Sequence, residues 1–115
     1  MSVRHKILVV DKNHKYPFLF EGLRKNKFSI GCLRSFAGLS ESELSNFNMF
    51  FMVIYEPKDI FELLKVYKGT IPIVIASDNS KIIKKMKNLG CLPLIDLSIK
   101  GNINSGVYEC INQMF

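Results

Sequence analysis

A chain of 115 residues, 48% of them hydrophobic, is one domain's worth and can bury a real core without disulfide or metal staples. Its formal net charge of +6 and pI near 9.3 favour acidic partners through long-range attraction, but charge alone is no nucleic-acid signature, and no recognition helix or RNA-stacking motif accompanies it. Cys32, Cys91 and Cys110 are far apart, odd in number and without a C-x-x-C pair, and no apolar stretch approaches membrane-spanning length, so a disulfide scaffold, a zinc site and a membrane protein are all excluded as expectations.

The N-terminal MSVRHKILVVD reaches a charge after four apolar residues, too few for a signal peptide, and a cytoplasmic protein with reduced, buried thiols is expected. Lys6-Ile7-Leu8-Val9-Val10-Asp11 is a short β-branched run ending in an acid, as a buried strand would. Asp11 to His14 reads as a loop. Pro17 fits the first turn of a helix, where its missing N–H costs nothing, with Phe18, Leu19, Phe20 and Leu23 as an apolar stripe to about Asn26. Phe28 to Phe36 alternates loosely and predicts a second, more exposed strand interrupted by Gly31.

Ser40-Glu41-Ser42-Glu43 has the Ser-x-x-Glu form of a capping box and starts a short helix to about Phe47. Met49 to Tyr55 follows, apolar without clean alternation, and predicts a central parallel strand covered on both faces, with Glu56 and Pro57 at its carboxyl end. Ile60, Phe61, Leu63, Leu64 and Tyr67 mark a helix over Lys58 to Tyr67 that Gly69 ends. Ile71 to Ser77 is a fourth strand with its proline near the start. Asp78-Asn79-Ser80 offers N-cap oxygens for a helix over Lys81 to Leu89, with Ile82, Ile83, Met86 and Leu89 inward, the lysines outward and Gly90 as the stop. Leu92 to Leu97 makes a fifth strand, Ser98 to Asn104 a loop, and Val107 to Met114 a last amphipathic helix. Strands and helices alternating every 20 to 25 residues or so predict one domain with a parallel sheet and right-handed crossovers.

In order and spacing these segments resemble the receiver domain of bacterial response regulators over nearly the whole chain. Lys6 to Asp11 is similar to that family's first strand with its acidic end, Met52-Val53-Ile54-Tyr55-Glu56 to the strand carrying the phosphoacceptor, Ile71 to Ser77 to the strand ending in a hydroxyl, and Leu89-Gly90-Cys91 to the turn before the fifth strand. The resemblance implies a flavodoxin-like α/β fold of three layers, with a five-stranded parallel sheet of order 2-1-3-4-5.

It also implies a site, and here the chain departs from the family. The family's acidic pair for Mg²⁺ is Asp11-Lys12, and an ammonium cannot ligate a cation that wants oxygen donors, so magnesium binding is expected to be weak or absent, and no other cofactor is expected. The phosphoacceptor position holds Glu56, one methylene longer than aspartate, which displaces the attacking oxygen from in-line geometry; its carboxylate is expected to pair with Lys12 or Lys100 instead. Ser77 fits the hydroxyl position. Lys100 matches the family lysine only if the loop after the fifth strand is about three residues longer, because ungapped counting from Gly90 places Leu97 there. Leu94 and Ile95 replace the usual aromatic of that strand.

Plainer readings stand beside these. Asp11 and Glu56 can be acids at strand ends held by lysines and helix N-termini, Ser77 a turn or cap residue, and His14 a solvated loop residue; His5 has no evident partner. Phe18 to Phe20, Phe50 and Phe51 are expected in the core. Lys81, Lys84, Lys85 and Lys87 form a solvated face, which in the family belongs to the usual partner surface. Phosphate-loop, dinucleotide, zinc-protease and serine-elbow motifs are all missing, and no nucleophile is paired with a base, so no catalytic residue and no metal site is assigned. The expected function is that of an atypical receiver domain in signal transduction, acting by contact with a protein partner or a second copy of itself. A phosphorylation-regulated receiver, a small-molecule binder at the same sheet edge and, last, a basic nucleic-acid-binding module are the alternatives.

Overall fold

Met49–Val53 forms a strand in which all five residues are buried, and the reason is that it has neighbours on both edges and layers on both faces. The computed structural model describes residues 5–20, 28–36, 39–66, 71–89, 93–98, 107, 109–111 and 113. In chain order they make β1 (His5–Val10), a 3₁₀ turn (Pro17–Phe20), β2 (Phe28–Leu33), α1 (Glu41–Leu44), β3 (Met49–Val53), α2 (Pro57–Val66), β4 (Ile73–Ser77), α3 (Ser80–Leu89) and β5 (Leu94–Asp96). Val107, Glu109 to Ile111 and Gln113 are helical as well.

The five strands form one sheet of order 2-1-3-4-5, and every neighbouring pair is parallel, which gives the flavodoxin-like α/β fold. Val10 pairs with Leu33 on one side and Met52 on the other, while Val53 pairs with Ala76 and Ser77 with Asp96. The carboxyl ends of β1, β3 and β4 therefore lie side by side.

Successive strand residues point to opposite faces, and the core divides accordingly. Ile7, Val9, Phe51, Val53, Val74 and Ala76 face one layer, where Tyr16, Phe20, Val107 and Ile111 cover them. Leu8, Val10, Phe50, Met52, Ile73 and Ile75 face the other, under Phe36, Leu44, Leu63, Ile82 and Met86. Phe20 meets Phe51 edge-on at 4.8 Å between ring centroids, and Phe36 meets Phe50 at 5.6 Å, geometries that add to area burial.

The capping box at Ser40 forms in both directions: Glu43 N–H donates to Ser40 Oγ at 3.2 Å, and Ser40 N–H donates to Glu43 Oε1 at 3.3 Å. The α-helix it starts is only Glu41–Leu44, ending before the expected Phe47. Asn79 Oδ1 accepts from Lys81 N–H at 3.0 Å and caps α3, whose Ile82, Ile83 and Met86 are buried as the spacing predicts.

Several expectations are corrected. Phe18 is 53% exposed and lies outside the core, because the first turn after Pro17 is 3₁₀, which turns Phe20 inward instead. On α2 Leu63 is buried, whereas Phe61 and Leu64 project into solvent at 64% and 58% exposure. Cys32 and Cys110 are only half-buried against the core, and burial raises the Cys110 thiol above its ordinary pKa. His5 does have a neighbour: its ring lies 5.9 Å from that of Phe28. The helix expected beyond Phe20, the stops at Gly69 and Gly90, the turn at Cys91, Lys100 and the loop around it all lie outside the described residues.

Candidate functional site

Asp11 follows β1 directly, 1% exposed, and the chain behind it curls back onto its carboxylate. His14 N–H donates to the Asp11 carbonyl at 3.0 Å, closing a turn, and His14 itself adopts a left-handed conformation (φ 52°), which histidine tolerates better than most residues. That twist aims the next amides inward. Lys15 and Tyr16 N–H both donate to Asp11 Oδ2 at 2.8 Å, and Asn13 N–H donates to Oδ1 at 3.2 Å. The Tyr55 hydroxyl donates to Oδ1 across the end of the sheet. Four donors thus converge on one buried carboxylate, the arrangement a charged group needs away from water.

Lys12 turns the other way. Its Nζ lies 2.6 Å from Glu56 Oε2 and 3.1 Å from Asp59 Oδ1. These bonds, that to Glu56 foremost, outweigh partial desolvation and hold the ammonium above its usual pKa. Glu56 is not at a strand end: β3 stops at Val53, and Glu56 is the exposed residue immediately before α2. The Lys12 ammonium, and then Lys58 at 3.3 Å, hold its carboxyl below the usual glutamate range.

The buried acid among the partners of Lys12 is Asp59. Its Oδ2 accepts from Tyr55 N–H at 2.9 Å and Glu56 N–H at 3.0 Å, and its side chain is only 8% exposed. It is the third residue of α2, from where a carboxylate reaches back to the free amides of the helix start and meets the positive end of the helix dipole.

A second arm of the network runs toward β4. Tyr16 donates its hydroxyl to Asp78 Oδ2 at 2.7 Å, with Lys15 Nζ 3.3 Å from the same oxygen, and chiefly the tyrosine bond lowers the Asp78 pKa. Ser77 is fully buried. Its hydroxyl donates to the Ile54 carbonyl at 2.7 Å and accepts from Asn79 N–H at 3.1 Å, so it ties β4 to the end of β3 rather than facing the acids. Leu97, the ungapped match to the family lysine, is buried at 5% exposure and donates its N–H to the Ser77 carbonyl at 2.8 Å, so no ammonium is offered from that position.

The geometry brings Asp11, Lys12 and Glu56 to one edge, leaves Ser77 with a structural role, and adds Tyr55, Tyr16, Asp59 and Asp78, which sequence reasoning missed. Asp59 carried a signal: an acid two residues after the proline of Glu56-Pro57-Lys58-Asp59 is the third position of a helix that proline opens. Lys81, Lys84, Lys85 and Lys87 are all exposed on α3, away from this network. A magnesium ion does not fit the donor set, because Asp11 has its oxygens committed to three amides and a hydroxyl and an ammonium stands between Glu56 and Asp59. Among the described residues no three Asp, Glu, His or Cys side chains converge as metal ligands, and no helix is long and apolar enough to cross a membrane.

Burial first, and then the bonds to Asp11 and Asp78, raise Tyr55 and Tyr16 above the ordinary tyrosine value of 10.0. The unfolded chain releases these protons near pH 10 and the folded chain retains them, so their stabilisation is complete below pH 10 and fades as pH rises beyond it. Of the four tyrosines, Tyr16 and Tyr55 should form phenolate only together with alkaline unfolding, and Tyr55→Phe should reduce that late component in an absorbance titration.

No protein-family model, no curated protein and no solved structure matches the chain.

Proposed function

We propose that the chain is an atypical receiver-like signalling domain that works through contact with a protein partner and performs no Mg²⁺-dependent aspartyl phosphorylation. The observation that supports this most is the Lys12 ammonium bonded to Glu56 at 2.6 Å and to Asp59 at 3.1 Å. A built-in cation sits between the acids at the carboxyl edge of β1 and β3, where the family would hold a metal ion. Asp11, in turn, is spent on holding its own loop. With the acids neutralised internally, the edge has one resting state and catalyses nothing. The exposed lysines of α3 then offer a basic face to an acidic partner, and a cytoplasmic location suits the reading.

Incubation with Mg²⁺ and acetyl phosphate, followed by intact mass and peptide mapping, is the direct test. The expected result is no covalent gain; a phosphoryl group on Glu56 would overturn the proposal.

A further inference from the structure

A cavity of about 180 Å³ opens beside the Lys12 cluster and shares Lys12 and Asp59 with it. Val10, Phe36, Met52 and Val53 give it an apolar floor, at the ends of β1 and β3 and just beyond β2. This is the place where the strand order reverses, β2 lying on one side of β1 and β3 on the other, and such crevices are the usual ligand sites of parallel sheets. Its volume is below the roughly 300 Å³ at which drug-sized pockets begin, so it suits a small metabolite and not a nucleotide.

The charged wall is more selective than the floor. Lys12 and Asp59 line the cavity but satisfy one another. Arg34 also lines it, is exposed, and forms no ion pair with a described residue. Glu62 completes the wall; its contact with Lys65 at 3.3 Å joins side chains that are 54% and 70% exposed, a pair that water screens heavily. Two cations, Lys12 and Arg34, and two anions, Asp59 and Glu62, line the cavity, so the wall is formally neutral, with Glu62 held only by its screened contact with Lys65. A plain carboxylate or phosphate would satisfy Arg34 yet bring a second negative charge up to Glu62 on the same wall, which is unfavourable. A neutral ligand with separated charges meets both.

We propose that this cavity binds a small zwitterion, an α-amino acid with an apolar side chain, its carboxylate on Arg34, its ammonium on Glu62 and its side chain against Phe36 and Met52. The guanidinium suits the carboxylate through paired N–H donors. This site stands independently of the receiver-like reading and would make the domain a sensor of a small molecule as well.

Titrating ¹⁵N-labelled protein with L-leucine tests it. The expected result is amide shifts confined to Arg34, Phe36, Asp59, Glu62 and their neighbours, with Arg34→Gln and Glu62→Gln each weakening the apparent affinity by about tenfold or more. Both residues are exposed, so the variants should keep the wild-type circular dichroism. 4-Methylpentanoate, which lacks the ammonium, and isopentylamine, which lacks the carboxylate, should bind more weakly by a similar factor. Absence of leucine shifts in the wild type, binding of leucine by either variant as tight as that by the wild type, or binding of 4-methylpentanoate or inorganic phosphate as tight as leucine's would each overturn the proposal.

Discussion

Asp11→Ala should cost about 3–5 kcal/mol of unfolding free energy, enough to bring a domain of ordinary stability close to its threshold. The side chain is 1% exposed and accepts from three backbone amides and the Tyr55 hydroxyl. Truncation leaves the buried Tyr16 amide without its acceptor and removes the carboxylate around which the turn through left-handed His14 closes. Asp11→Asn keeps one oxygen acceptor but sets an amide N–H₂ against at least one amide donor, so it should fall between alanine and wild type. Urea denaturation followed by circular dichroism would measure both. Wild-type stability in Asp11→Ala would show that the loop does not depend on this carboxylate and would return Asp11 to the pool of free, ligand-ready acids.

Asp59→Ala should be the second most damaging change at this edge, at about 2–3 kcal/mol. It removes the acceptor for Tyr55 and Glu56 N–H at the start of α2 and the inner partner of Lys12. Glu56→Gln is the control. Its carboxylate is exposed and held by lysines at the surface, where ion pairs contribute little, so its denaturation midpoint should stay within error of wild type. If Glu56→Gln proved the more destabilising of the two, the assignment of Asp59 as the structural acid would be wrong.

The fold was legible in the sequence to a degree that the site was not. Strands over Ile7 to Val10, Met49 to Val53 and Ile73 to Ser77 show as unbroken apolar runs because each is buried on both faces, and burial on both faces removes the need for alternation. Helices α1 and α3 announce their starts through Ser40 and Asn79, whose caps are local and need no distant partner. The parallel 2-1-3-4-5 sheet follows from strands alternating with helices, together with the resemblance in spacing. Boundaries were less legible. Phe18, Phe61 and Leu64 are apolar residues at helical spacing, yet they face water, since a stripe wider than the buried face cannot all be covered.

Chain order and residue type alone determined the α/β class, the central strands, the acid after β1 with a lysine beside it, and the two candidates, Lys12 and Lys100, for a partner of Glu56. Only the tertiary structure decided which acid is buried. Asp59 lies 47 positions from Lys12 and Tyr55 lies 44 from Asp11, and no local pattern encodes a contact across that span. Such contacts exist because parallel pairing of β1 with β3 sets the two strand ends abreast, and a carboxylate's role there depends on which amides the next turn happens to aim at it.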